Sequence, residues 1–141
     1  MYKKILVALE NSAADRALLP HVTELARRLQ SQLLLVHVAD GWAARHFEEL
    51  NLRESEEIKA DRAYLAQRCE ELRRSGLSVE SRLAMGDPST ELIRIANEEK
   101  VDLIAMSTHG HRFLSDVIHG TTVDRLRHKV FVPVLLLRGQ T

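Results

Sequence analysis

Apolar residues along the chain gather into short dense runs, and between the runs they thin to a spacing of three or four. Residues 4–9 (KILVAL) and 33–38 (LLLVHV) are rich in Ile, Leu and Val. Runs of this kind belong to strands covered on both faces, as in parallel sheets. Residues 101–106 (VDLIAM) and 132–137 (VPVLLL) read the same way. Residues 77–84 alternate instead. Leu77, Val79, Ser81 and Leu83 fall on one side, and Ser78, Glu80, Arg82 and Ala84 on the other. That pattern predicts a strand nearer an edge, with one wetter face.

Helical spacing fills the gaps. Residues 14–30 carry Leu18, Val22, Leu25 and Leu29 on one stripe, and Pro20 inside it predicts a kink or a later start. Residues 58–75 form a clearer helix, stopped by Gly76. Gly86-Asp87-Pro88-Ser89 predicts a turn into a helix over 89–100, with Asp87 as N-cap and Pro88 at the first helical position. That helix buries Leu92, Ile95 and Ala96. Residues 40–57 are polar, hold Trp42 and Phe47, and read as loop or partial helix. Residues 107–119 read as loop with a helical turn around 114–118, and 121–128 as a short helix. The order β-α-β-α-β-α-β-α-β predicts one α/β domain over residues 1–141, with a parallel sheet and helices on both faces. Strand order does not follow from the pattern.

Composition narrows the function classes. The length of 141 residues fits a single domain. Lys and Arg total 20, as do Asp and Glu, so the chain lacks the basic excess of a general nucleic-acid or anionic-membrane binder. Its one cysteine, Cys69, excludes a disulfide framework and reads as a reduced thiol in a helix. The opening MYKKILVAL is too short an apolar run for a signal peptide, and no run approaches the roughly 18 apolar residues of a membrane span. The expected location is the cytoplasm.

In open parallel sheets, ligands sit beyond the carboxyl ends of the strands. Two strand-end loops stand out: Glu10-Asn11-Ser12, and Ser107-Thr108-His109-Gly110-His111-Arg112. The second offers small residues, donors and a glycine through which backbone can approach a ligand closely. Gly120-Thr121-Thr122 then opens a helix, whose free N–H groups and hydroxyls favour an anion. Together they sketch a phosphate cradle, although each feature alone is as common in an ordinary turn or cap. His109, His111 and His119 lie near Asp116, but their spacings match no metal-ligand pattern. No dedicated metal site is expected. His37, in a buried run, reads as a core histidine with its hydrogen bonds met.

The run MSTHGHRFLSDVIHGTT, followed by PVLLLR, resembles the universal stress protein family. Nucleotide-binding members of that family carry a glycine, two residues, a glycine, nine residues, then glycine and Ser or Thr. Here Gly110, nine residues, Gly120 and Thr121 match the second half, and Ser107 stands at the first glycine. MYKKILVAL resembles the family's first strand, LLLVHV its second, and GDPSTELIRIANEEKVDLIAM its Gly-x-Pro helix and fourth strand. Only the stretch from Asp40 to Leu72 falls outside the likeness. It is expected to be solvated helix and loop, with a cover over the nucleotide or a partner contact as the alternatives.

The resemblance implies a doubly wound, Rossmann-like five-stranded parallel sheet in the order 3-2-1-4-5. It implies an ATP-binding regulatory protein of the stress response, dimeric through the last strand from Val132 to Leu137. Carried over residue by residue, Leu9 and Glu10 would lie beside the adenosine and Val38 against the adenine. Met106 and Ser107 would flank ribose and phosphates. His109, Gly110, Gly120, Thr121 and Thr122 would meet the phosphates, with Mg2+ arriving on the nucleotide. Glu10 replaces the Asp usual in binders. Ser107 would cost about 1 kcal/mol if its position required positive φ. No catalytic residue is assigned, since there is no Walker lysine pattern. The alternatives are a slow ATPase and a nucleotide-free dimeric interaction module.

Overall fold

The computed structural model describes residues 1–39, 56–107, 125–126 and 128–138. In chain order the elements are β1 (Lys4–Ala8), α1 (Asp15–Leu29), β2 (Gln32–Ala39), α2 (Glu56–Arg74), β3 (Val79–Met85), α3 (Pro88–Glu99), β4 (Leu103–Ser107) and β5 (Val134–Leu137). The five strands form one sheet in the order β3-β2-β1-β4-β5. Every pairing is parallel. This is the doubly wound arrangement that the resemblance implied. Strand order reverses between β1 and β4, whose register runs Ile5↔Leu103 to Ala8↔Met106.

Alternation along the strands splits the core in two. Ile5, Val7, Leu33, Leu35 and Ala105 face α1 and α2, packing with Leu18, Val22, Ala26, Leu65 and Cys69. Leu6, Leu34, Val36, Ile104 and Met106 face α3, packing with Leu92, Ile95 and Ala96, and with Leu126 and Val130. The central strands β1 and β4 are buried on both sides, which is why their sequences do not alternate.

The edges and element ends show where local chemistry adjusted the expected boundaries. β3 is an edge strand, as expected, but not one with a single wetter face: the exposed Glu80 and Ser81 lie on opposite sides, and Ala84 is buried. β4 begins at Leu103 because the two residues before it serve other ends. The Val101 N–H finishes α3 on the Ala96 carbonyl at 3.2 Å. The Asp102 carboxylate accepts the Lys3 and Lys4 N–H groups at 2.7 and 3.0 Å, clamping the start of β1. β5 begins at Val134 because Pro133 has no N–H to give, although its carbonyl accepts from Ile104 at 3.1 Å. Pro20 lies inside α1, which is assigned as one helix from Asp15 to Leu29. The missing bond is to Arg16, and both residues are exposed, where solvent can serve the carbonyl.

Gly86 carries the turn into α3 with φ +133°, a backbone that side chains rarely adopt. Its N–H reaches the Ala39 carbonyl at 3.2 Å, tying the carboxyl ends of β2 and β3 together. Asp87 caps α3 and Pro88 opens it, as expected. Of the helix expected over 121–128, residues 125, 126 and 128 are described and helical, as is 129. The expected loop at 107–119 lies outside the described residues except for Ser107.

Candidate functional site

Leu9 and Glu10 follow directly from β1 and are buried. The Leu9 N–H donates to the Val36 carbonyl at 2.8 Å, so this end of the chain stays pinned to β2. Val38, near the carboxyl end of β2, and Met106, near that of β4, belong to the same core on the α3 side. Ser107 ends β4, is buried, and pairs in register with Leu137. The structure therefore gathers Leu9, Glu10, Val38, Met106 and Ser107 along one sheet edge, at the strand-order reversal. His109, Gly110, Gly120, Thr121 and Thr122 lie outside the described residues, as do His111, Asp116, His119, Trp42 and Phe47.

Ser107 is an extended strand residue. Non-glycine residues with positive φ among the described residues are Tyr2, Asn11, Gln30 and Lys100. The strain that a serine would suffer in the left-handed region does not arise at this position.

A polar network on the opposite face of the sheet fixes the turn after β1. The Asp15 carboxylate, in the first turn of α1, accepts the Glu10 N–H at 2.9 Å and the Asn11 N–H at 2.8 Å. The Tyr64 hydroxyl on α2 donates to the same carboxylate at 2.7 Å. Burial, and then this bond to an anion, push the Tyr64 phenol well above its usual pKa. Asn11 takes φ 58°, a left-handed conformation that asparagine tolerates. There its Nδ2 donates to Asp61 Oδ1 at 2.8 Å.

His37 completes the network. Its Nδ1 lies 2.8 Å from the Leu9 carbonyl, which can only accept, so Nδ1 carries a hydrogen and donates. Nε2 then faces Asp61 Oδ2 at 3.1 Å. Of the hydrogen bonds expected for a core histidine, the one at Nδ1 is present, on the Leu9 carbonyl, and Nε2 lies beside Asp61. Asp15, Asp61 and Tyr64 were not singled out as site residues from sequence, and Asn11 was named only as part of the loop after the first strand. One signal was available for Asp61. With Ile58, Leu65 and Cys69 it forms the buried stripe of α2, an acid where an apolar residue belongs.

At the other side of the edge, Arg125 donates to Ser89 Oγ at 2.9 Å and Thr90 Oγ1 at 3.3 Å, and lies 3.5 Å from Asp87 Oδ2. This joins the helical residues after position 124 to the start of α3. Among the described residues no group of three or more His, Cys, Asp or Glu side chains could hold a metal ion. No helix among them is long and apolar enough to cross a membrane.

Comparison with known proteins adds to this geometry. The sequence profile described as the Universal stress protein family matches residues 1–138. Universal stress protein MJ0577 of Methanocaldococcus jannaschii is 27% identical over 158 residues, covering 98% of this chain and 96% of that protein. Its solved structure superposes with a TM-score of 0.81, covering 100% and 99% of the two chains. Universal stress protein YxiE of Bacillus subtilis is 25% identical over 150 residues, covering 98% and 100%. A universal stress protein from Archaeoglobus fulgidus, solved in complex with dAMP, shares the fold at a TM-score of 0.65 and 21% identity, covering 96% and 97%.

Proposed function

As this chain belongs to the universal stress protein family, we propose that its carboxyl sheet edge binds an adenine nucleotide, ATP foremost, and that it acts as a cytoplasmic homodimer in a stress response. The observation that carries the reading is the meeting of the β1 and β4 ends at the strand-order reversal, where such sheets take their ligands. The residues there fit an adenosine. In this reading Val38 and Met106, buried in the core on the α3 side, back the place of the base, and the buried Glu10 supplies a carboxyl group of the kind that suits ribose hydroxyls. Ser107 keeps the backbone course of β4 without strain. His109, Gly110, Gly120, Thr121 and Thr122 supply the phosphate contacts in this reading, and Mg2+ accompanies the phosphates. The dAMP complex of the Archaeoglobus protein makes an adenine nucleotide the ligand to test first.

The role is binding, with nucleotide setting conformation or partner choice; turnover, if any, is slow and incidental. The dimer forms through the strip from Val132 to Leu137. β5 is an edge strand, Leu136 is 42% exposed and Phe131 fully so. A bare apolar edge invites uncontrolled pairing, which a second copy prevents. The reading is tested by denaturing the purified protein and resolving the released small molecules by ion exchange. Stoichiometric adenine nucleotide is the expected result. An empty supernatant, together with no melting shift in Mg-ATP, would favour a nucleotide-free interaction module.

A further inference from the structure

Arg125 is an exposed residue whose guanidinium is drawn to one place, the start of α3. Nη1 donates to Ser89 Oγ at 2.9 Å and Nη2 to Thr90 Oγ1 at 3.3 Å, with Asp87 Oδ2 at 3.5 Å from Nη1. Both hydroxyls give their hydrogens to Asp87 Oδ2, at 2.8 and 2.7 Å, so each has lone pairs left for the arginine. Stability alone does not explain the arrangement. A helix start carries partial positive charge and disfavours a cation, and an exposed ion pair contributes little. What the contacts fix is position. They set residue 125 against α3, while the next residue, Leu126, is buried in the core that holds Val38 and Met106. Gly86, just before the cap, ties the same helix start to the Ala39 carbonyl at 3.2 Å, next to Val38.

Thr121 and Thr122 stand four and three residues before Arg125. Four residues span at most about 14 Å, so a fixed Arg125 limits where their N–H groups and hydroxyls can go. We propose that Arg125 is a positioning residue for phosphate recognition. Its fork on Ser89 and Thr90 keeps the segment that carries Gly120, Thr121 and Thr122 near the start of α3, and so lowers the ordering cost of holding a phosphate chain. Arg125 acts through that segment and touches no ligand itself. The inference rests on the nucleotide reading above and adds a division of labour to it: the sheet edge holds the nucleoside, and the start of α3 steadies the phosphate-binding residues.

The test measures the affinity of the full chain for Mg-ATP and for adenosine by calorimetry, in wild type, Arg125→Met, Ser89→Ala and the double variant. Arg125→Met should weaken Mg-ATP about tenfold and leave adenosine within about twofold, because only the phosphate-binding segment is released. Ser89→Ala should weaken Mg-ATP in the same sense, and the double variant should be no weaker than Arg125→Met alone. The melting temperature of Arg125→Met should stay within about 3 °C of wild type. Unchanged Mg-ATP affinity in Arg125→Met overturns the proposal. So does equal weakening of both ligands, which would make the contact part of the fold. Additive losses in the double variant overturn it too, because they would put Arg125 on the phosphates directly. Wild type that binds neither ligand contradicts the nucleotide reading itself and takes this inference with it. Wild type that binds both, with variants that match it, sinks the inference alone.

Discussion

His37 Nε2 lies 3.1 Å from Asp61 Oδ2, with both side chains 1% exposed, and this contact joins the carboxyl end of β2 to the buried face of α2. The same imidazole holds the Leu9 carbonyl and the same carboxylate holds Asn11, so one buried pair fixes the turn that begins the candidate site. Asp61→Ala removes the acceptor of the Asn11 amide and the buried partner facing His37. It should cost about 3 kcal/mol of stability. Asp61→Asn keeps the shape of both contacts, because an amide oxygen can accept from Asn11 while its NH2 faces His37. It should cost about 1 kcal/mol. Urea denaturation compares the two, and equal losses would contradict the importance of the two polar contacts at Asp61.

Tyr64 makes a prediction in alkali. Burial first, and then the bond to Asp15, raise its pKa in the folded protein. The unfolded phenol ionises near pH 10, while the folded one keeps its proton. Its contribution is therefore full below about pH 10 and declines as pH rises beyond it. Denaturation between about pH 9 and pH 11 should show that decline, and Tyr64→Phe should lack that part of it.

Asp87 makes the opposite prediction in acid. Its carboxylate accepts from the Thr90 hydroxyl at 2.7 Å and the Thr90 N–H at 3.0 Å. These bonds, the hydroxyl first, hold its pKa below the usual carboxylate value. The stabilisation is present above the ordinary aspartate pKa and is lost as pH falls through the lowered one. Asp87→Ala should cost about 1 kcal/mol at neutral pH and flatten the acid limb of the stability curve.

Ser107 is extended strand backbone and carries none of the left-handed strain that a glycine would relieve. Because it sits in extended backbone paired with Leu137, a glycine there relieves nothing. Ser107→Gly should lower stability by about 0.5–1 kcal/mol through strand entropy. Its ATP affinity, read by titration calorimetry, should stay within about twofold of wild type, since no strain energy is released.

Much of the fold could be read from local pattern because parallel strands are buried on both faces and leave unbroken apolar runs. Gly86, Asp87 and Pro88 announced the start of α3 by their own backbone and capping preferences. The edge position of β3 showed in Glu80 and Ser81. Strand order came only through family likeness, since no local signal records which strands meet. The site was half legible. The loops beginning at Glu10 and Ser107 follow from the rule that ligands sit at carboxyl strand ends, whereas Leu9, Val38 and Met106 came through the family likeness. The Asp15, Asp61 and Tyr64 network was missed because it depends on α2 packing across a chain separation of about fifty residues, as in Asn11 with Asp61. Pairings of that range leave only a faint trace, here an acid on an apolar stripe.

The central claim is nucleotide binding at the meeting of β1 and β4, and calorimetric titration of Mg-ATP into wild type and Gly120→Val tests it most directly. Wild type should bind saturably, and at about 100 times the dissociation constant it should gain about 2.7 kcal/mol of stability. Gly120→Val should keep its fold and lose the heat, because a branched side chain blocks the approach of the phosphates. No binding to wild type, or undiminished binding to Gly120→Val, would contradict the account.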